Sequence, residues 1–212
     1  MLNKTENIDR RIKRTRQLLK DALISLIMEK DFELITVQDI TSRADVNRAT
    51  FYSHYHSKHD LLEQTINEIL EEFSEAVRYI PEAKKYKLDE TTKPYSIFVR
   101  MFEQISKHAD FYKTMLSKRG RPGFWRRMVE ILRESVYQRQ LNLQPDDRQL
   151  IVPKDLLSTY ASSSYLGLII YWLESGMSYT PEYMASQLTQ LTNLGIFKAA
   201  GLDKRNDGTN MA

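Results

Sequence analysis

The first apolar pattern in the chain sets residues Leu19, Ala22, Leu23, Leu26 and Ile27 at three-four spacing, one face of a helix. That helix is predicted to begin near Asp9 to Arg14 and to end near Lys30, after which Phe32 and Leu34 lead to a denser stretch. Thr36 is a good N-cap, and Val37, Ile40, Ala44 and Val46 give a short helix running into a tight turn. Asn47 can cap the next helix, on which Phe51 and Tyr55 stand one above the other at i and i+4. Two short helices joined so briefly must cross steeply, with Val37, Ile40, Val46 and Phe51 as the plug between them: a helix-turn-helix.

The pattern stays helical to the end. Leu62, Ile66, Ile69, Phe73 and Val77 predict a fourth helix from Lys58 to about Ile80, stopped by Pro81. A shared helix of that length, some 30 Å at about 1.5 Å per residue, is both the last wall of a head and the first of a second domain. Residues 81–94 are charged and lack a stripe, so a loop is expected. Further helices are predicted from Tyr95 to His108, from an Asp110 cap to Leu116, and from Phe124 to about Leu141. The break KRGRPG at residues 118–123 reads as an exposed turn. Pro153 is placed as the first residue of a helix reaching Ser175, with Gly176 as its stop, and Thr180 caps a last helix opened by Pro181. The expectation is an all-α protein of about nine helices: a helix-turn-helix head with a basic N-terminal arm over residues 1–57, a helical bundle over 58–202 and a disordered tail over 203–212.

Composition agrees with that and narrows the chemistry. Seven glycines and six prolines in 212 residues leave helix formers dominant. The chain has no cysteine, which fits a reducing cytoplasm and removes disulfides and thiolate metal sites. No apolar signal run opens it, and the longest apolar stretch, around Tyr165 to Leu173, is too short to cross a bilayer, so no membrane partner is expected. The net charge of +3 is small, but residues 1–20 hold seven cations against two carboxylates, a local +5 that leaves −2 for the remainder. Such an arm can follow a DNA backbone, or it can be a solvated, frayed terminus.

The second helix of the motif leaves unusual groups outside. Arg48, Thr50, Tyr52, Ser53 and His54 offer donors and flat or small groups with no carboxylate, which suits a phosphate-lined groove. Ser57 caps the fourth helix and Lys58 lies in its first turn, so free N–H groups and an ammonium meet in a potential anion site. His54, His56 and His59 do not make a metal set, since His54 and His56 cannot share a helix face and no spaced ligand completes them. No Gly-rich phosphate loop or nucleophile elbow occurs, so neither cofactor nor catalysis is expected.

The run TVQDITSRADVNRATFYSHYHSKHDLL, residues 36–62, resembles the DNA-binding signature of the TetR/AcrR family of bacterial transcription regulators, and the likeness extends over about Arg14 to Ile69. Asp45 stands where the family often has Gly, and Tyr55 where Phe is common; Asp tolerates the left-handed conformation and Tyr packs like Phe. The resemblance implies that Thr36 and Gln38 touch backbone or a base edge, that Arg48, Ala49 and Thr50 face bases, that Tyr52, Ser53 and His54 hold phosphates or neighbouring bases, and that Lys58 clamps the backbone.

It also implies a homodimer on a palindromic operator of double-stranded DNA, and an effector pocket amid helices five to eight. Candidate pocket residues are Met101, Phe102, Ile105 and Tyr112, together with Met115, Trp125, Met128 and Tyr160, though at helical spacing such residues are more often core. The last two helices look like the family's four-helix dimer contact, with Ser164, Gly167, Leu168 and Tyr171, then Trp172, Leu188 and Leu191, as candidates. An intrachain core is the competing reading. The function expected is a ligand-responsive repressor, with a small molecule shifting the fourth helix; the alternative is a helix-turn-helix interaction module or co-activator working through a protein partner.

Overall fold

The computed structural model describes residues 2–78, 94–117, 120–121, 123–143 and 150–200, with residues 2–9 and Leu143 described by backbone alone. The loop expected after Pro81, the tail from Asp203, and Lys118, Arg119 and Pro122 of the KRGRPG break lie outside these. Among the described residues the regular structure is entirely helical: α1 (Leu2–Glu29), a 3-10 turn (Phe32–Leu34), α2 (Val37–Ala44), α3 (Arg48–Tyr52), α4 (Lys58–Ala76), α5 (Ser96–Lys107), α6 (Ala109–Leu116), α7 (Phe124–Leu143), α8 (Lys154–Glu174) and α9 (Pro181–Ala199).

The chain divides into two compact units, residues 1–75 with 108–129, and residues 76–107 with 130–212. By packing, then, the division falls at the end of α4 rather than at residue 57, because the apolar stripe of α4 is buried in the first unit. Leu61, Leu62, Ile66, Leu70 and Phe73 are all buried, and Phe73 meets Tyr112 of α6 edge-on, the ring centroids 6.2 Å apart.

The expected stripe of α1 is the centre of the first unit. Leu19 and Leu23 are fully buried and Leu26 and Ile27 nearly so. The helix nevertheless starts at Leu2, well before the expected Asp9 to Arg14. Residues 2–14 contain neither Gly nor Pro, so nothing in them stops the backbone from continuing a helix that the later turns anchor. The expected basic arm is thus helical, and two of its cations are turned inward. Arg16 donates to Gln64 at 2.8 Å, and Lys20 pairs with Glu68, fastening α1 to α4.

In the motif the local signals act as predicted. Thr36 caps α2 in a reciprocal box with Asp39, whose carboxylate accepts from the Thr36 N–H at 2.8 Å and from Lys30 at 2.9 Å. Asp45 ends α2 at φ 51°, ψ 46°, in the left-handed region that Asp tolerates, and the Asn47 side chain caps α3 by accepting from Ala49 N–H at 2.8 Å.

Other boundaries differ from expectation as well. α4 ends at Ala76 rather than near Ile80, where Arg100 donates to the carbonyls of Ala76 at 3.0 Å and Arg78 at 3.2 Å, and Ser135 donates to that of Val77. Those side chains satisfy the groups that a further turn would have used. α6 begins one residue before Asp110, which sits in the first turn, where its charge still complements the helix dipole. Pro153 occupies the N-cap position of α8, with extended ψ of 141°, and Lys154 opens the helix. Gly176 does end the α8 region at φ 74°, and Thr180 with Pro181 opens α9.

The second unit is a bundle of α5, the rest of α7, α8 and α9. Phe102 meets Trp172 edge-on at 5.3 Å and Phe98 meets Tyr165 at 5.2 Å. Ser158 and Ser162 are buried on α8, small residues that allow close helix approach.

Two stability predictions follow from the first unit. The Tyr55 hydroxyl is buried without a hydrogen-bond partner, and burial pushes its pKa up against the opposing influence of Arg16. Tyr55→Phe removes an unsatisfied polar group and is expected to raise stability by about 1 kcal/mol, seen as a higher urea midpoint at unchanged slope; a loss of stability would contradict it. The Asp39 carboxyl is held down at about 2, first by the Thr36 N–H and then by Lys30. Its contribution is therefore present above the ordinary value of 3.8 and is lost as pH falls toward about 2. Asp39→Asn should be less stable at neutral pH and should lose less stability than the parent through that window; parallel acid-unfolding curves would overturn the assignment.

Candidate nucleic-acid interface

α3 has only five residues, too short to persist alone, so its position depends on what lies beneath it. Phe51 is fully buried and Tyr55 is 1 % exposed, their rings 5.8 Å apart, and the Tyr55 N–H continues the turn by donating to the Phe51 carbonyl at 2.9 Å. Ile40 of α2 is fully buried in the same unit, whereas Val37 and Val46 are half-buried and close the edges of the plug.

With those side chains inward, Arg48, Ala49, Tyr52 and Ser53 are exposed and Thr50 and His54 are half-exposed. The Arg48 guanidinium lies 5.6 Å from the Tyr52 ring centroid, and the two form a cationic and phenolic pair on the free side of the helix. Ser53 donates to the Thr50 carbonyl at 2.7 Å, which leaves its oxygen as an outward acceptor. Residues 46–59 themselves include no carboxylate, so α3 carries none beside its exposed donors; the nearest partner carboxylate of this stretch is Glu33, 4.0 Å from Lys58 and 3.9 Å from His59.

Thr36 and Gln38, at the start of α2, are exposed as well. The Thr36 hydroxyl is engaged as the cap, and Gln38 donates to Ser42 at 3.2 Å, a weak bond that a better acceptor can displace.

Lys58 is placed differently from the outward clamp that the resemblance implies. Its ammonium donates to the carbonyls of Phe32 and Glu33, each at 2.9 Å, and lies 4.7 Å from the Phe32 ring centroid, with the side chain only 15 % exposed. The N-terminus of α4 is also partly answered from within: Asp60 accepts from the His56 N–H at 2.8 Å, and Ser57 accepts from the Asp60 N–H at 3.1 Å. Sequence spacing could place Lys58 at that helix end. It could not reveal that two carbonyls of the preceding turn would take its donors.

Of the other cations, Arg43 is spent on a two-point pair with Glu29, both contacts 2.8 Å. Arg121, in the KRGRPG break, pairs with Glu63 of α4 at 3.3 Å, and Arg127 reaches the same carboxylate at 3.4 Å. Arg10, Arg11 and Arg14 on α1 remain exposed. Among the described residues no cluster of three or more potential ligands could hold a metal, and no helix is long and apolar enough to cross a membrane.

The expected pocket residues separate into different places. Tyr112, Met115 and Met128 are buried in the first unit, where Tyr112 joins Phe111 and Phe124 in a ring cluster, and Trp125 is 51 % exposed on α7. Phe102 and Ile105 are fully buried core of the second unit. A cavity of about 700 Å³ does exist within that second unit, and Met101 and Tyr160 line it. Most of its wall comes from residues the sequence reading passed over, among them Phe98, Leu132, Val136, Arg139 and Leu157. The signal available was a polar group, Arg139, one turn beyond Val136 on an otherwise inward stripe.

The expected dimer residues also divide. Trp172 and Leu188 are buried, and the Trp172 indole donates to the Tyr179 carbonyl at 2.9 Å, so this ring closes the α8–α9 turn and presents nothing outward. Ser164, Leu168 and Leu191 are half-buried in the cavity wall, Gly167 is exposed at its margin, and Tyr171 is exposed. Leu156, Tyr160, Gly167 and Tyr171 form the outward stripe of α8.

Comparison with known proteins agrees with this geometry. Residues 19–65 match the profile of bacterial regulatory proteins of the tetR family, and residues 92–194 match that of a transcriptional regulator C-terminal region of the same family. An uncharacterized HTH-type transcriptional regulator, YxbF of Bacillus subtilis (strain 168), is 30 % identical over 196 residues, which are 92 % of this chain; the chain spans about half, 49 %, of that relative's length. A TetR transcriptional regulator from Streptococcus agalactiae 2603V is 26 % identical with a TM-score of 0.56, over 88 % of this chain and 98 % of its own. In fold alone the chain is similar to the fatty acid degradation regulator FadR from Bacillus halodurans (15 % identity, TM-score 0.57, 85 % of this chain and 98 % of that one) and to the dihydroxyacetone kinase operon activator DhaS (15 %, 0.56, 84 % and 93 %). With a helix-turn-helix of this construction and both family regions in their expected order, the chain belongs to the TetR family of bacterial transcriptional regulators.

Proposed function

We propose that the protein is a homodimeric, ligand-responsive repressor in the cytoplasm that binds a palindromic operator through α3 of each subunit. The observation that carries this reading is the exposed Arg48 and Tyr52 pair on a helix whose opposite side is fixed by buried Phe51 and Tyr55. Arg48 reads a base edge or a nearby phosphate, Ala49 and Thr50 approach bases, and Tyr52, Ser53 and His54 hold the flanking backbone. Thr36 and Gln38 contribute from α2. Lys58 supports the face by tying the start of α4 to the 3-10 turn, and the exposed arginines of α1 add attraction that is independent of sequence.

Two-fold pairing is supported by the outward stripe of α8, where Leu156, Tyr160 and Tyr171 are each more than half exposed. Apolar groups repeated along one helix at this exposure are best satisfied by another apolar face. A dimer also brings two reading helices to half-sites about 34–36 Å apart, which a five-residue helix needs for useful specificity. An effector acts through the end of α4. Val77 lines the cavity while its carbonyl and its neighbours are held by Ser135 and Arg100, so a change in cavity volume strains the last turn of the helix that supports α3.

The test measures binding to duplex DNA by fluorescence anisotropy across a salt series. Arg48→Ala and Tyr52→Ala are expected to weaken specific binding by about ten- to a hundredfold, with thermal stability nearly unchanged because both side chains are exposed. Sedimentation equilibrium of Tyr171→Glu should show a monomer at concentrations where the parent is a dimer. Unchanged DNA affinity would remove α3 as the reading face, and an unchanged dimer would remove the α8 stripe as the contact.

A further inference from the structure

The cavity of the second unit has a polarity that the family assignment does not supply. Its wall is apolar over most of its extent, with Ile97, Met101, Leu132, Val136 and Leu168 contributing side chains. Arg139 is the sole charged residue among the described residues that line it. Its guanidinium lies 4.2 Å from the Tyr95 ring centroid, and among the described residues no carboxylate pairs with it. Gln140, the next residue of α7, also lines the cavity, and its side-chain oxygen is buried with no hydrogen-bond partner. Asn193, which accepts from the Tyr95 hydroxyl, completes a polar end.

Arg139 is half-buried, and a guanidinium that faces an apolar concavity with no carboxylate partner offers its donors to an anionic group entering there. Its five donors in a fixed fork suit a carboxylate, and the Tyr95 ring already restrains its plane, so little side-chain freedom remains to be lost on binding. The adjacent Gln140 amide can turn either its acceptor or its donors toward a protonated or an ionised head. The remaining wall is suited to an alkyl or similar apolar body, and a volume of about 700 Å³ lies within the range of sites for small amphiphiles.

We propose that the effector is an amphiphile with a single carboxylate head and an apolar body, its head on Arg139 and its body along α5, α7 and α8. This names the ligand class of the site described above and rests on the ligand-responsive reading for its regulatory meaning, while the binding itself does not require DNA. An anionic head also explains why the wall carries no Asp or Glu among its described residues, since either would neutralise the guanidinium and repel the ligand.

The test is isothermal titration of the full chain, without DNA, with decanoate and decyltrimethylammonium below their micelle concentrations and decanol below its solubility limit. Decanoate is expected to bind at one per chain, decanol more weakly by about tenfold or more, and the ammonium least. Arg139→Gln should reduce the decanoate affinity by about ten- to a hundredfold and bring it close to that of decanol, while leaving decanol itself unaffected. The head-group series on the parent chain decides the matter even if the variant does not fold. Absence of binding by decanoate, equal binding of all three probes, or full decanoate affinity in a folded Arg139→Gln variant would overturn the proposal. Since DNA is absent throughout, failure here leaves the DNA-reading assignment intact, and failure of that assignment leaves this result interpretable.

Discussion

The burial of two aromatic rings behind α3 is the constraint on which the rest depends. Full burial of a ring such as Phe51 is worth about 2–3 kcal/mol, whereas the exposed contact of Arg48 with Tyr52 on the other side is worth less than about 1 kcal/mol. The helix is therefore held from behind. Its front contributes almost nothing to folding, which leaves Arg48, Thr50 and Tyr52 available for a task other than stability. A free-standing helix of five residues would not survive nucleation, so the chemistry presented outward exists only because the rings fix it.

The surrounding contacts hold that small platform in place. Asp45 turns the chain sharply in the left-handed region, the Asn47 side chain starts α3, and the Thr36–Asp39 box with Lys30 fixes the beginning of α2. On the other side of the head, Arg16, Gln64 and Asp60 form a chain of hydrogen bonds that ends on the His56 backbone just after α3, each link being 2.8 Å. A cation in the basic N-terminal stretch thus becomes a structural group. The same is true of Lys20, Arg43 and Lys58, so four side chains that charge alone would send to DNA are occupied in the head itself.

How much was legible in the sequence varied with the range of the interaction. Caps, the left-handed Asp45, the Gly176 stop and the inward pairing of Phe51 with Tyr55 are local, and local chemistry determines them. The motif and its exposed face follow from the same neighbours, which is why the family resemblance at residues 36–62 and the profile match at residues 19–65 coincide. The cavity was not legible in that way. Periodicity says that Tyr112, Met115 and Met128 point inward, yet not toward which core, and α6 with the first turns of α7 belongs to the head and not to the bundle. Trp172 shows the same limit: an α8 apolar all round must cover more than one face, but only the Tyr179 carbonyl reveals that this ring closes a turn. The partners of Lys58 were not legible either, because they are the carbonyls of Phe32 and Glu33, which no side-chain pattern displays.

The central claim is that the motif, so supported, reads a two-fold DNA sequence. The most direct measurement is repeated selection of the purified chain against a pool of random duplexes at low ionic strength, followed by sequencing of the retained pool. The account predicts enrichment of one inverted repeat whose half-sites lie about one helical turn or a simple multiple apart. Retention of no duplex, or retention without any enriched sequence, would contradict it.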